Sequence, residues 1–416
     1  MVLLRIALPL LLAACKLPAP ECSIRCSEGC SFGLTCGQDG YCHGDGKVTG
    51  CTSSNGDGGG SCVGCVSGQY NYVFVTSTTY VPGTFGSHGM SALDYADSEC
   101  NRLARAAKTP LGGTFKAWLS TSTVNARDRL IRSDGKIARG WIRADWRPFI
   151  DSLDTFLGQG QMFYPAWLDE NGSNLVSEGG AFVSVATGTQ SDGTVVPDDT
   201  AGDWSSPSSG FMAGVAGAAD RRWTYATTDT GGSEAHLYCF GIDLAQPLGI
   251  PKATGRTAFL SATLFSPTSG PRAADTICSD EAAANLLSGT YHALLATSTR
   301  SASSLFDLTK PTWVRVDGVA WLAQASDLNV RSPLSALNLT ASGGYSDNTL
   351  VWTGSPSPSQ ASTTPAQSCS DWTSATSMSG IVGSAELPFV FFKIDDKENG
   401  YPRACTNMAN LYCLQY

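Results

Sequence analysis

Fifteen cysteines, four histidines and 36 acidic side chains carry the reactive potential of this 416-residue chain. No nucleophile elbow, phosphate-binding glycine loop, dinucleotide fingerprint or metalloprotease helix occurs. His43, His88, His236 and His292 are scattered, so acid–base chemistry would fall to carboxylates. No pair of acids stands out for that work, and the chain reads as a non-enzyme. The loop holding Asp192, Asp198 and Asp199 offers the hard oxygen donors that calcium takes, although loops of this composition are more often only solvated. No other cofactor is implied. Asp169-Glu170-Asn171-Gly172 reads as a β-turn ahead of a calcium turn. His236, close to Tyr238 on the last strand of its repeat, reads as a hydrogen-bonded structural residue. The one basic-aromatic cluster comprises Arg139, Trp141, Arg143 and Trp146, with Arg147 and Phe149 beside them. Taken as exposed, it is the best ligand patch, because guanidinium forks and indoles grip carboxylates and sugars. Its alternative is a half-buried loop with paired arginines.

Composition bounds what these residues can serve. Hydrophobic residues make up 42% of the chain and charged ones only 15%, which fits folded modules with Gly, Ser and Thr surfaces. A net charge of -9 gives phosphate backbones nothing to neutralise, so nucleic acid is not a partner and heparin-like polyanions are disfavoured. At the N-terminus, Arg5 precedes an apolar run over residues 6–12 that is too short to span a bilayer. It ends in Leu12-Ala13-Ala14-Cys15, which resembles a lipobox. That resemblance implies a signal peptide over 1–14, diacylglycerol on Cys15, and a bacterial cell-envelope location on the membrane. Lys16, standing where Asp would resemble an inner-membrane retention signal, leans toward the outer membrane and cell surface. Eight cysteines crowd into residues 22–65, which are rich in Gly and Ser. Such a segment cannot bury enough apolar area to fold unaided, so residues 15–68 read as a disulfide-stapled stalk whose connectivity stays open. Cys62-Val-Gly-Cys65 has a zinc-ligand gap, but export favours oxidation.

The remainder is an internal duplication. Ala96-Asp97-Ser98-Glu99-Cys100 matches Ala274-Asp275-Thr276-Ile277-Cys278, and Gly113-Thr114-Phe115-Lys116-Ala117 matches Gly289-Thr290-Tyr291-His292-Ala293. Further on, Arg132-Ser133-Asp134-Gly135 aligns with Arg315-Val316-Asp317-Gly318, Asp203-Trp204 with Asp371-Trp372, and Leu237-Tyr238-Cys239 with Leu411-Tyr412-Cys413. Two domains are expected, 69–245 and 255–416, joined by a Pro/Gly linker at 246–251 that should leave freedom between them. Each has an α+β plan: a strand (72–76 in the first), a helix over 92–107 with Ala96, Cys100, Leu103 and Ala107 on one face, a strand over 115–120, a second helix over 126–131 capped by Ser122-Thr123, and a closing strand through Cys239. A cysteine on the first helix would meet the one on the last strand, which pairs Cys100 with Cys239 and Cys278 with Cys413. Cys369 and Cys405 should form a nested bridge in the second repeat. Ala201 and Gly231 stand near those positions in the first, so its loops should be looser.

In that order, the cysteine-bearing helix, Gly-Thr-Phe-Lys-Ala-Trp-Leu-Ser, Val351-Trp352-Thr353-Gly354, Cys369-Ser370-Asp371-Trp372 and Leu411-Tyr412-Cys413 resemble endostatin, as does the segment 153–161. Bacterial surface lipoproteins carry similar domains. The resemblance implies two tandem C-type-lectin-like domains, each with two helices, a small antiparallel sheet closed by its termini, and long loops. A fold does not carry its function with it. The endostatin zinc site needs a histidine cluster, which these scattered histidines do not supply, and its heparin surface depends on arginines, whereas this chain is acidic. Calcium-dependent lectins resemble one another in Trp-Asn-Asp; here the acid precedes the tryptophan, so Trp204 and Trp372 read as core. The expectation is an envelope lipoprotein binding a protein or glycan. A structural envelope component and a carboxylate-driven hydrolase are its rivals.

Overall fold

The computed structural model describes residues 69–176, 180–249, 252–329, 332–376, 378–394 and 403–416, with the short strands Thr35–Cys36 and Cys42–His43. The chain divides into two units, Met1–Asp57 and Gly58–Tyr416. In the first, the described residues form one antiparallel pair, with Cys36 opposite Cys42. Cys15, expected to be lipidated, the expected signal segment 1–14 and the remaining cysteines of 22–65 lie outside the described residues.

The second unit is a mixed α+β body, and its described residues form several small sheets and three disulfides. Its first repeat opens on β1 (Asn71–Val75), buried at all five positions. A strand of that kind must be covered on both faces. One cover is α1 (Ala92–Ala106), started by Ser91 accepting the Asp94 N–H and burying Ala96, Cys100, Leu103 and Ala104. There follow β2 (Phe115–Ala117), β3 (Trp141–Ile142), β4 (Pro148–Ile150) and α2 (Leu153–Gln159). Next come β5 (Ser184–Ala186), a one-turn α3 (Ala201–Trp204), β6 (Phe211–Val215), β7 (Thr227–Asp229) and the closing β8 (Tyr238–Gly241). The main sheet has the order β2-β8-β1-β3-β4, with β1 and β3 parallel, and β5-β6-β7 form a second sheet.

The second repeat contains β9 (Arg256–Leu260), α4 (Gly270–Ala284), β10 (Tyr291–Ala293), β11 (Trp313–Arg315), β12 (Leu350–Trp352), one-turn α5 (Cys369–Trp372), β13 (Ser379–Gly380), β14 (Val382–Ser384), β15 (Arg403–Ala404) and β16 (Tyr412–Gln415). Its main sheet runs β10-β16-β9-β11, with β9 and β11 parallel. This is the same neighbour order as β2-β8-β1-β3. Register agrees as well: Cys239 sits between Phe74 and Ala117, and Cys413 between Phe259 and Ala293. Cys100–Cys239 and Cys278–Cys413 tie helix to closing strand, and Cys369–Cys405 is the third bridge. Asp97 and Asp275 each accept the amide of the matching strand, Ala117 and Ala293.

Three expectations are corrected. The segment 126–131 is a short 3-10 turn, Ala126–Arg129, with no side-chain cap, because Ser122 is instead bonded to Asp203 and only Ala126 of the turn is buried. The longer second helix is α2, capped by Ser152 and stopped by Gly160 at φ 73°. The partner of Arg315 is Arg143, not Arg132: β3 and β11 both lie parallel to the opening strand, which places Trp141-x-Arg143-x-Asp145 over Trp313-x-Arg315-x-Asp317. Finally, the described part of the linker, 246–249, is tied to the first repeat rather than free. Leu248 is buried against the first repeat and its amide bonds Asp151. Leu387, Phe389, Val390 and Ile394 of the second repeat share one apolar cluster with Val73, Trp167 and Val215 of the first.

Candidate functional site

The basic-aromatic cluster turns inward. Trp141, Phe149 and Arg143 are buried, and Arg147 nearly so. The Trp141 indole donates to the Gly241 carbonyl at 2.8 Å. Arg143 pairs with Asp145, donates to the Pro165 carbonyl and lies over the Tyr164 and Trp167 rings. Burial raises the Asp145 carboxyl, but the charges of Arg143 and Arg147 more than reverse this and hold it below the usual carboxylate range. Arg139 is bonded to Asp151, and Trp146, half-buried at φ 67°, packs edge-on to Tyr72. An exposed patch over Trp141, Arg143 and Phe149 does not exist, because all three side chains are buried and the polar atoms of Trp141 and Arg143 are bonded within the core. The second repeat repeats the device: the Trp313 indole donates to Gln415, and Arg315 pairs with Asp317.

The acids nominated for calcium do not converge. Asp192 caps its own turn through Thr194, Asp198 is exposed, and Asp199 accepts the Thr228 hydroxyl. Among the described residues, no group of three or more His, Cys, Asp or Glu is placed to hold a metal ion. Asp169 accepts the amides of Asn171 and Ser173, which makes that segment a turn. His236 Nδ1 bonds the Thr76 carbonyl at 2.6 Å, and Asn410 does the same to Ser261 in the other repeat. Trp204 and Trp372 are fully buried and donate to Ser120 and Ala296. Residues 201–204 and 369–372 all have φ between 47° and 64°. Each repeat therefore carries one left-handed helical turn, pinned by Asp203 on Ser122 or Asp371 on Ser298.

A site that no sequence motif marks lies where the repeats meet. A cavity of about 350 Å³ opens between the C-terminal end of α2 with Trp223 on one side and Tyr345-Ser346-Asp347 on the other. Arg221 and Asp347 pair at 3.6 Å, both half exposed. Beneath them, Arg222 Nε donates to both Asp220 oxygens at 3.0 and 2.8 Å, and its Nη2 lies 3.5 Å from Glu386. Glu386 accepts the Ser346 hydroxyl and the Thr349 amide, both at 2.8 Å. Burial first, and then the Asp220 charge, push Glu386 up to about 7 against the pull of Arg222. Burial also pushes the Tyr345 phenol up to about 12, and its hydroxyl donates to Asp317. Asp220 and Glu386 escaped sequence reasoning because they are remote in the chain; Asp220-Arg221-Arg222-Trp223 is the only local trace.

No protein-family model matches the chain, and no curated protein matches its sequence. Among the described residues, no helix is long and apolar enough to cross a membrane.

Proposed function

We propose that the chain is a binding or adhesion lipoprotein of the bacterial cell envelope. It would be held by acyl chains on Cys15, spaced by the cysteine-rich segment 15–68, and present two C-type-lectin-like domains, 69–245 and 255–416, to a glycan or protein ligand. The observation that carries the reading is the cavity of about 350 Å³ at the junction of the repeats, framed by Tyr345, Trp223 and the Arg221–Asp347 pair on a disulfide-clasped scaffold. Concave sites with aromatic walls and a few convergent polar groups are where ligands bind. The matching strand order of the two halves supports the tandem-domain part, and Leu12-Ala13-Ala14-Cys15 supports the anchor.

The test is a glycan and surface-protein array probed with the full mature chain, then with Tyr345→Ala and Asp347→Ala. Binding by the parent protein that falls at least tenfold in both variants is expected. Binding that ignores both would move the site elsewhere, and an array with no specific ligand would favour a structural envelope role. Intact-mass analysis of the mature N-terminus should show a diacylated Cys15.

A further inference from the structure

Two carboxylates and one guanidinium meet inside the junction, and both acid side chains, Asp220 and Glu386, are fully shielded from solvent. Asp220 takes the close contacts of Arg222 and also accepts the Asn348 amide. Glu386 is left the long 3.5 Å approach. With both acids ionised, these described groups would hold one negative charge more than Arg222 can pair, a state that desolvation penalises heavily. The groups facing Glu386 come from both repeats: Asp220 and Arg222 from the first, and Ser346, Thr349, Ser384 and the Tyr412 phenol from the second. Arg221 and Asp347 lie at the rim and pair with each other. The same stretch forms the backbone weld, since the Ala219 amide donates to the Glu386 carbonyl at 2.9 Å and Asn338 Nδ2 to the Ala219 carbonyl at 3.1 Å.

We propose that Glu386 is a proton-operated clasp between the two repeats: as the neutral acid it closes the junction, and on ionising it loosens it. The direction follows from linkage. The carboxyl sits near 7 in the closed junction and would return toward its ordinary 4.5 when exposed to water. The clasp is therefore fully engaged below that ordinary value, weakens as pH rises from there, and carries its whole penalty above about 7. No ligand is required, so the inference stands or falls apart from the binding role.

Hydrogen exchange of the Ala219 amide in the full chain at pH 5.5 and 8.5, corrected for intrinsic exchange, reads the clasp. Wild-type protection should fall by on the order of ten- to thirtyfold across that interval. Glu386→Gln, a permanent mimic of the neutral acid, should hold protection nearly level at both pH values. A wild-type protein with no such fall, or a Glu386→Gln protein that keeps it, overturns the proposal. If Glu386→Gln does not fold, Asp220→Asn serves instead. Removing the neighbouring charge should move the midpoint of the fall to lower pH, and an unmoved midpoint is equally fatal.

Discussion

A guanidinium taken out of water needs its N–H groups answered. Arg315 is answered by Asp317, Tyr345 and the carbonyls of Met162, Phe163 and Ala336. Two of those carbonyls belong to the other repeat, so this side chain both completes β11 and ties the halves. Burial would raise Asp317, yet Arg315 holds it below the usual carboxylate range. Removing one member of such a pair strands the other, whereas replacing both with apolar groups of similar volume removes the desolvation cost as well. Arg315→Met should therefore cost about 3–5 kcal/mol in urea unfolding. Arg315→Met combined with Asp317→Leu should recover much of that loss, and a double variant no better than the single would show that the carbonyl contacts, not the charge pair, dominate. The signal for this role was present as Trp-x-Arg-x-Asp at 141–145 and again at 313–317. Read one copy at a time, an arginine between tryptophans suggests a surface; read as a pair, the recurring Asp two residues on marks a buried fork.

At the scale of elements, α1 and the two helix-to-strand disulfides were legible because apolar spacing and a cysteine on the inward face leave few alternatives. The left-handed turns were not. Propensity gives no warning that Cys369, Ser370, Asp371 and Trp372 will share positive φ, since non-glycine residues pay about 1–2 kcal/mol each there. Tertiary ties outweigh that cost: Ser368 accepts the Asp371 amide, Asp371 accepts from Ser298, and the Trp372 indole reaches Ala296. Ser370 occupies the position held by Gly202 in the first repeat and makes no side-chain tie of that set. Ser370→Gly should consequently raise stability by about 0.5–1 kcal/mol, read as a higher thermal midpoint, because glycine adopts this conformation without steric penalty. The nested bridge bears on the same turn. Cys369–Cys405 closes 36 residues, and replacing both cysteines by alanine should cost about 4 kcal/mol on the chain-entropy account. The first repeat has Ala201 in place of Cys369 and carries the three-stranded β5-β6-β7 ladder there, where the second repeat has the two-stranded pairs β12-β14 and β13-β15.

For the molecule as a whole, the duplication was readable but its consequence was not. Repeated motifs suggested two bodies on a Pro/Gly hinge, because a local window shows only that residues 246–251 cannot form a helix or strand. Whether two apolar faces meet depends on residues far apart, and Arg222 and Glu386 are separated by 164 positions. Leu387, Phe389, Val390 and Ile394 are buried in a cluster that includes Val73, Trp167 and Val215 of the other repeat. Separating the halves would return those side chains to water, at roughly 1.5–3 kcal/mol for each large one fully uncovered, and would also strip Arg315 of two carbonyl partners. Losses of that size rival the net stability of a domain. Residues 255–416 expressed alone should therefore melt well below the full chain and bind a hydrophobic dye, and co-expression with 69–254 should restore a single cooperative transition. A fragment that melted with the intact protein would mean that each repeat is self-sufficient and that the shared cluster contributes little to holding either one folded.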